Sequence, residues 1–153
     1  LHACVLRPES RGWVKLKSSD PAMAPAINPN FLSDERDLHL LRDAARLMYR
    51  IAETPPLSDM GARDRSPIDY NDDAALEARI REVSDTIYHP VGTCRMGSDA
   101  NSVVDPKLKA RGVEGLWIAD ASIMPRLVSG NTNAPSIMIG ERAADFVKTE
   151  LAA

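Results

Sequence analysis

Prolines cut this 153-residue chain into pieces, and the cuts decide where helices can lie. Pro21, Pro25 and Pro29 crowd the stretch from Ser18 to Asn30. Each lacks a donor N–H, and its ring collides with the carbonyl four residues back, so an extended connector is expected there. Pro55-Pro56 should end any helix that reaches it from the N-terminal side. Pro135 works the other way, because its fixed φ suits a first helical turn, and a helix is predicted to begin near it.

Periodicity fills the spaces between these marks. Val5-Leu6-Arg7 and residues 12–16, GWVKL, flank Pro8-Glu9-Ser10-Arg11 and read as two strands joined by a turn. Ser33 can cap a helix whose first turn holds Asp34 and Glu35, suited to the positive end of the helix dipole. That helix carries Leu41, Ala44, Ala45, Met48 and Ile51 on one stripe. Residues 57–72 are polar and turn-rich, a surface loop. A second amphipathic helix is predicted over 73–83, with Leu76, Ile80 and Val83 inward. Residues 116–120, LWIAD, read as a buried strand, and the last helix carries Ile137, Ile139, Ala144, Phe146, Val147 and Leu151.

Composition excludes some functions. With 44% hydrophobic and 27% charged residues, the chain has the makings of one ordinary globular core. A net charge of −3 argues against a broad basic face, and so against nucleic acid or anionic lipid as a partner. No apolar run approaches a membrane span, and no charged-then-apolar leader opens the chain. The opening residues LHACVL read as strand interior, which suggests a fragment or a processed product. Cys4 and Cys94 form no ligand spacing and read as two reduced thiols of a cytoplasmic protein. With only His2, His39 and His89, no protein-built metal site is expected.

The residues able to do chemistry gather late in the chain. His89 lies beside a Pro90-Val91-Gly92 turn, and beyond the 116–120 strand comes SGNTNAP at 129–135. Neutral imidazole is a good base near neutral pH, and Asn131 can donate a hydrogen bond to an oxygen gaining negative charge. Together they suit the activation of an alcohol whose carbon then loses hydride, and an organic cofactor would have to receive it. Backbone N–H groups near Asn133 to Ser136, at a helix start, would suit an anionic ring. Asp120 ends a strand, where cofactor-binding α/β folds hold their ligands. Each residue also has a plainer reading: His89 as a structural histidine, Asn131 as a turn residue, Asn133 as a helix cap, Asp120 as a strand-ending turn. A Cys94–His89 thiol hydrolase lacks a third, orienting residue.

Three ordered blocks carry a family resemblance. HPVGTCRMG at 89–97, VVDPKLKARGVEGLWIADASIMP at 103–125 and SGNTNAPSIMIGERAAD at 129–145 resemble the C-terminal region of the glucose–methanol–choline family of flavoenzymes. SRGWVKLKSSDP at 10–21 and INPNFLSDERDLHLLRDAARLMYRI at 27–51 are similar to the same family's substrate-side region. The resemblance implies an FAD-dependent alcohol oxidoreductase with His89 as catalytic base and Asn131 at the second catalytic position, also touching the cofactor. It places Asp120 and Ala121 in the turn beside the ribityl and pyrophosphate, and Thr132 and Asn133 in the segment that starts the final helix under the flavin ring. The wording is nearest to bacterial choline and other alcohol dehydrogenases, which favours an electron carrier over oxygen.

The implied architecture is α+β. Residues 1–87 would be part of a substrate-binding domain, an antiparallel sheet with flanking helices. Residues 88–153 would hold the histidine turn, and a strand and helix returning to an FAD-binding α/β domain. One family feature is missing: the eight glycines, at 12, 61, 92, 97, 112, 115, 130 and 140, nowhere form G-x-G, so the pyrophosphate-gripping loop is not in this sequence. The chain is therefore expected to need the N-terminal FAD-binding portion of the same protein as its partner, and to be colourless and inactive alone. Its other partners would be a small alcohol and an electron acceptor, with the intact enzyme cytoplasmic or peripheral to a membrane. The competing reading is a binding or assembly module that kept the fold and lost catalysis.

Overall fold

The computed structural model describes residues 1–152. The chain divides into two compact units, Leu1–Ile87 and Tyr88–Ala153.

In the first unit, β1 (Trp13–Lys15) pairs antiparallel with β2 (Ala26–Asn28), with Trp13 opposite Asn28 and Lys15 opposite Ala26. This corrects the sequence expectation on both sides. Residues 5–7 form no strand, and the proline-rich connector supplies β2 from the three residues between Pro25 and Pro29. Two local causes are visible. A Cβ at Gly12 would lie 2.2 Å from the Asn28 carbonyl oxygen, so glycine there lets the chain pass close against β2. Residues 8–10 are drawn elsewhere: Glu9 and Ser10 donate their backbone N–H groups to the Asp37 carboxylate at 2.9 and 2.8 Å.

Asp37 lies in the first turn of α1 (Glu35–Ala52), whose cap is Asp34 where Ser33 was expected. The Asp34 side chain accepts the N–H of Arg36. Beside the Arg36 guanidinium, the Asp34 carboxyl is held down at about 2. The helix ends at Ala52, three residues short of Pro55, as proline requires. Of its expected stripe, Leu41, Ala44, Ala45 and Met48 are partly buried and Ile51 in the last turn is exposed, while the most buried apolar residue of the helix is Leu38, in the turn before.

Helix α2 spans Asp73–Val83, the predicted range, with the Asp72 side chain capping it through the N–H of Ala75. Leu76 and Ile80, one turn apart, pack with Leu38 into a small core that Leu32, Leu41, Ala45, Ile68 and Tyr70 complete. Burying each such side chain contributes about 1.5–3 kcal/mol. Val83, also expected inward, is 54% exposed, because the last turn of α2 runs past that core. At the rim, Arg42 donates to Glu77 at 2.8 Å and to Asp73 at 3.0 Å, and Arg46 also binds Asp73.

The second unit is built around Val104, Leu108, Ile123, Met124, Ile139 and Ala143. Here the expected 116–120 strand is corrected to one isolated bridge, Lys109 with Trp117. The turn glycines Gly112 and Gly115 precede the segment, and Asp120 caps a 3₁₀ turn over Ala121–Ile123 directly after it. Only two ladder bonds fit between, from the Ala110 N–H to the Leu116 carbonyl and from the Ile118 N–H to the Leu108 carbonyl. Helix α3 (Asn133–Leu151) closes the unit, burying Ile139 and Ala143 four residues apart while Ile137 faces solvent.

Candidate active site

His89 is aimed by its neighbours in the chain. Tyr88 before it takes a left-handed backbone, φ 65°, a conformation that costs a non-glycine residue about 1–2 kcal/mol. Pro90 follows, and Gly92 turns the chain at φ 90°. Two backbone bonds then hold the descending segment: Cys94 donates to the Ser122 carbonyl at 3.0 Å, and Met96 to the Ile123 carbonyl at 2.8 Å. The histidine turn is thus stitched to the 3₁₀ turn that Asp120 begins.

The partly buried His89 ring reaches the start of α3. Its Nδ1 lies 2.8 Å from the Thr132 hydroxyl oxygen, a contact spanning forty-three residues of sequence. Thr132 is 8% exposed and is the N-cap residue of α3, yet its side chain caps no helix N–H. The helix end is tied instead by Ser136, whose N–H and hydroxyl both donate to the Thr132 carbonyl, at 3.0 and 2.6 Å. Pro135 has no N–H, so the backbone donors left at this positive end belong to Asn133 and Ala134.

The remaining predicted residues fall around this contact. Asn131 immediately precedes Thr132 and is exposed; among the described residues its carboxamide makes no hydrogen bond. Asn133, also exposed, opens α3. The Asp120 carboxylate accepts the Ser122 N–H at 2.8 Å, and Ala121 packs against the unit's core. All six predicted residues therefore lie in the second unit, and one pair, His89 with Thr132, is joined directly. Sequence reading put Thr132 beside a cofactor and missed its bond to His89, for which no local pattern exists.

Other features fall elsewhere. The apolar depression at the C-terminal end of α1, lined by Leu47, Ile51, Pro55 and Leu57 among others, lies in the first unit and contains none of the predicted residues. Cys4 and Cys94 are free thiols. Among the described residues no cluster of His, Cys, Asp or Glu could hold a metal, and no helix is long and apolar enough to cross a membrane.

Residues 8–140 match a family described as GMC oxidoreductase. The chain is 47% identical over 148 residues to an alcohol dehydrogenase [acceptor] of Pseudomonas putida, covering 96% of this chain and 27% of that protein. It is 45% identical to an oxygen-dependent choline dehydrogenase of Cronobacter sakazakii, covering 96% of this chain and 26% of the relative. Among solved structures, an FAD-dependent oxidoreductase from Chaetomium thermophilum superposes with a TM-score of 0.88 at 31% identity, over 95% of this chain and 26% of that one. The chain thus spans about a quarter of the length of the proteins it matches.

Proposed function

Because this chain belongs to the GMC oxidoreductase family, we propose that it forms the alcohol-activating part of an FAD-dependent oxidoreductase, with His89 as the base. The observation that carries the reading is the His89 ring, partly buried and bonded through Nδ1 to Thr132 at the uncapped start of α3. In this reading the 3₁₀ turn and α3 belong to the wall of an FAD-binding domain, and the first unit belongs to a substrate-binding domain. The rest of the FAD site is supplied by a dinucleotide-binding portion that this sequence does not contain.

The donor chemistry at the start of α3 fits a flavin. The exposed Asn131 amide and the N–H groups of Asn133 and Ala134, at the positive end of the helix, suit a ring system that becomes electron-rich. Asp120 and Ala121 would face its polar tail. When bound, FAD supplies the acceptor for the hydride leaving the alcohol carbon.

The chain's own residues prepare the alcohol for that loss. A small alcohol beside His89 gives its hydroxyl proton to the imidazole, and the oxygen gains negative charge. Asn131 donates a hydrogen bond to that oxygen, favouring the charged form over the neutral one and so lowering the barrier.

The test is rapid-mixing kinetics of flavin reduction in the flavin-loaded enzyme. His89→Ala should slow the step about 10²–10⁴-fold, the usual worth of a positioned base. A rate near that of the unsubstituted enzyme removes His89 from the chemistry. Asn131→Ala should lose about 2–4 kcal/mol of transition-state stabilisation; an unchanged rate removes that role.

A further inference from the structure

We propose that Thr132 is the positioning residue of His89: its hydroxyl oxygen accepts the Nδ1 proton and leaves Nε2 unprotonated as the basic nitrogen. The inference rests on the base role given to His89 above and assigns the tautomer which that role requires.

The 2.8 Å separation alone permits either group to donate. The chemistry chooses between them. Neutral imidazole carries one proton, and the nitrogen without it is the base. A Thr132 hydroxyl donating to Nδ1 would place the proton on Nε2, and the nitrogen left basic would be the one already occupied. With Nδ1–H donating to Thr132, Nε2 keeps its lone pair for the substrate hydroxyl.

Thr132 is unusually available for this task. A threonine at a helix N-cap ordinarily spends its hydroxyl oxygen accepting the N–H of the second or third helical residue. The third residue of α3 is Pro135, which has no N–H. The second, Ala134, keeps its N–H, but Thr132 has φ −88° and ψ 0° where capping residues are extended, and its side chain does not bond it. Its side chain accordingly makes no capping bond. Left without a capping bond by its own backbone and by Pro135, the hydroxyl meets the imidazole instead. Being 8% exposed, Thr132 leaves little room for water to substitute. The backbone on the histidine side is already fixed by the left-handed Tyr88, by Pro90 and by the bonds of Cys94 and Met96, so the ring torsions are what Thr132 adds.

Thr132→Val is near-isosteric and removes no helix bond, because the Ser136 bonds go to the Thr132 carbonyl. Proton–nitrogen NMR correlation through two bonds, on the 153-residue chain at a pH where the ring is neutral, reads which nitrogen carries the proton. His89→Gln assigns the signal among the three histidines. The unsubstituted chain should hold the proton on Nδ1, Thr132→Val should move the tautomer ratio about tenfold toward Nε2–H, and Thr132→Ser should restore it. A proton chiefly on Nε2 in the unsubstituted chain, or a ratio indifferent to Thr132→Val, overturns the proposal. In the flavin-loaded enzyme, Thr132→Val should slow flavin reduction about tenfold at unchanged KM, with recovery in Thr132→Ser. An unchanged rate also overturns it. Failure of the underlying base reading looks different: His89→Ala would leave reduction fast, whatever the NMR shows.

Discussion

Asp37 carries a contact that can be tested without any cofactor. Its carboxylate is 2% exposed and takes three donors from the residues before β1: the Glu9 N–H at 2.9 Å, the Ser10 N–H at 2.8 Å and the Ser10 hydroxyl at 2.6 Å. Asp37→Ala leaves those donors facing a cavity. An unsatisfied buried donor costs about 1–3 kcal/mol, and half-burial of Glu9 and Ser10 points to the lower end, so three donors make about 3 kcal/mol. Losing a carboxylate from the first turn of α1 adds about 0.3–1 kcal/mol. The expected loss is about 3–4 kcal/mol from the first unit. The assay is urea denaturation followed by Trp13 fluorescence in a Trp117→Phe background. That background breaks no hydrogen bond, since the buried indole Nε1 of Trp117 has no partner among the described residues. Ser10→Ala alone and combined with Asp37→Ala completes a double-mutant cycle. A loss under about 1 kcal/mol, or strict additivity in the cycle, refutes the reasoning.

The same group gives a pH signature. Burial pushes the Asp37 carboxyl up, but the hydrogen bonds from the Ser10 hydroxyl and the Glu9 and Ser10 N–H groups outweigh it and leave the carboxyl below its ordinary value. A depressed folded value means the ionised form is bound more tightly in the folded state. The stabilisation is then fully present above the unfolded value, about 3.9, and lost as pH falls through the folded one. Midpoint denaturant concentration should therefore decline less steeply below about pH 4 in Asp37→Ala than in the unsubstituted chain. Equal slopes would show that Asp37 titrates alike in both states.

Other outcomes follow from single sites. Gly12→Ala should destabilise the first unit by about 1–3 kcal/mol, because its methyl would overlap the Asn28 carbonyl; an unchanged urea midpoint contradicts that packing. Gly92→Ala should cost the second unit about 1–2 kcal/mol, since φ 90° is unfavourable for any residue with a Cβ, and thermal unfolding measures it. The purified 153-residue chain should stay colourless with added FAD, lacking a G-x-G phosphate loop; stoichiometric yellow binding, or dye reduction with an alcohol, would overturn that expectation.

Helices were legible because their signals are local. The Asp73–Val83 span emerged as read, since the 3.6-residue repeat and the acidic residues before it act within a few residues. Strand pairing was not legible. Trp13–Lys15 could have paired with residues 5–7 as far as pattern shows, and the choice of Ala26–Asn28 depends on a close approach at Gly12 and on Asp37 capturing residues 8–10. Nothing in the immediate sequence around Asp37 distinguishes a buried anchor from a solvated first-turn acid.

The candidate site divides in the same way. The amino-acid sequence by itself determined the family, the chemical types at His89 and Asn131, and the helix start marked by Pro135. Those are properties of residues and of short runs of them. Only the tertiary structure brought the Thr132 hydroxyl to Nδ1 of His89, across forty-three residues. That meeting is a long-range one, set by how the histidine turn hangs from the 3₁₀ turn and where α3 begins.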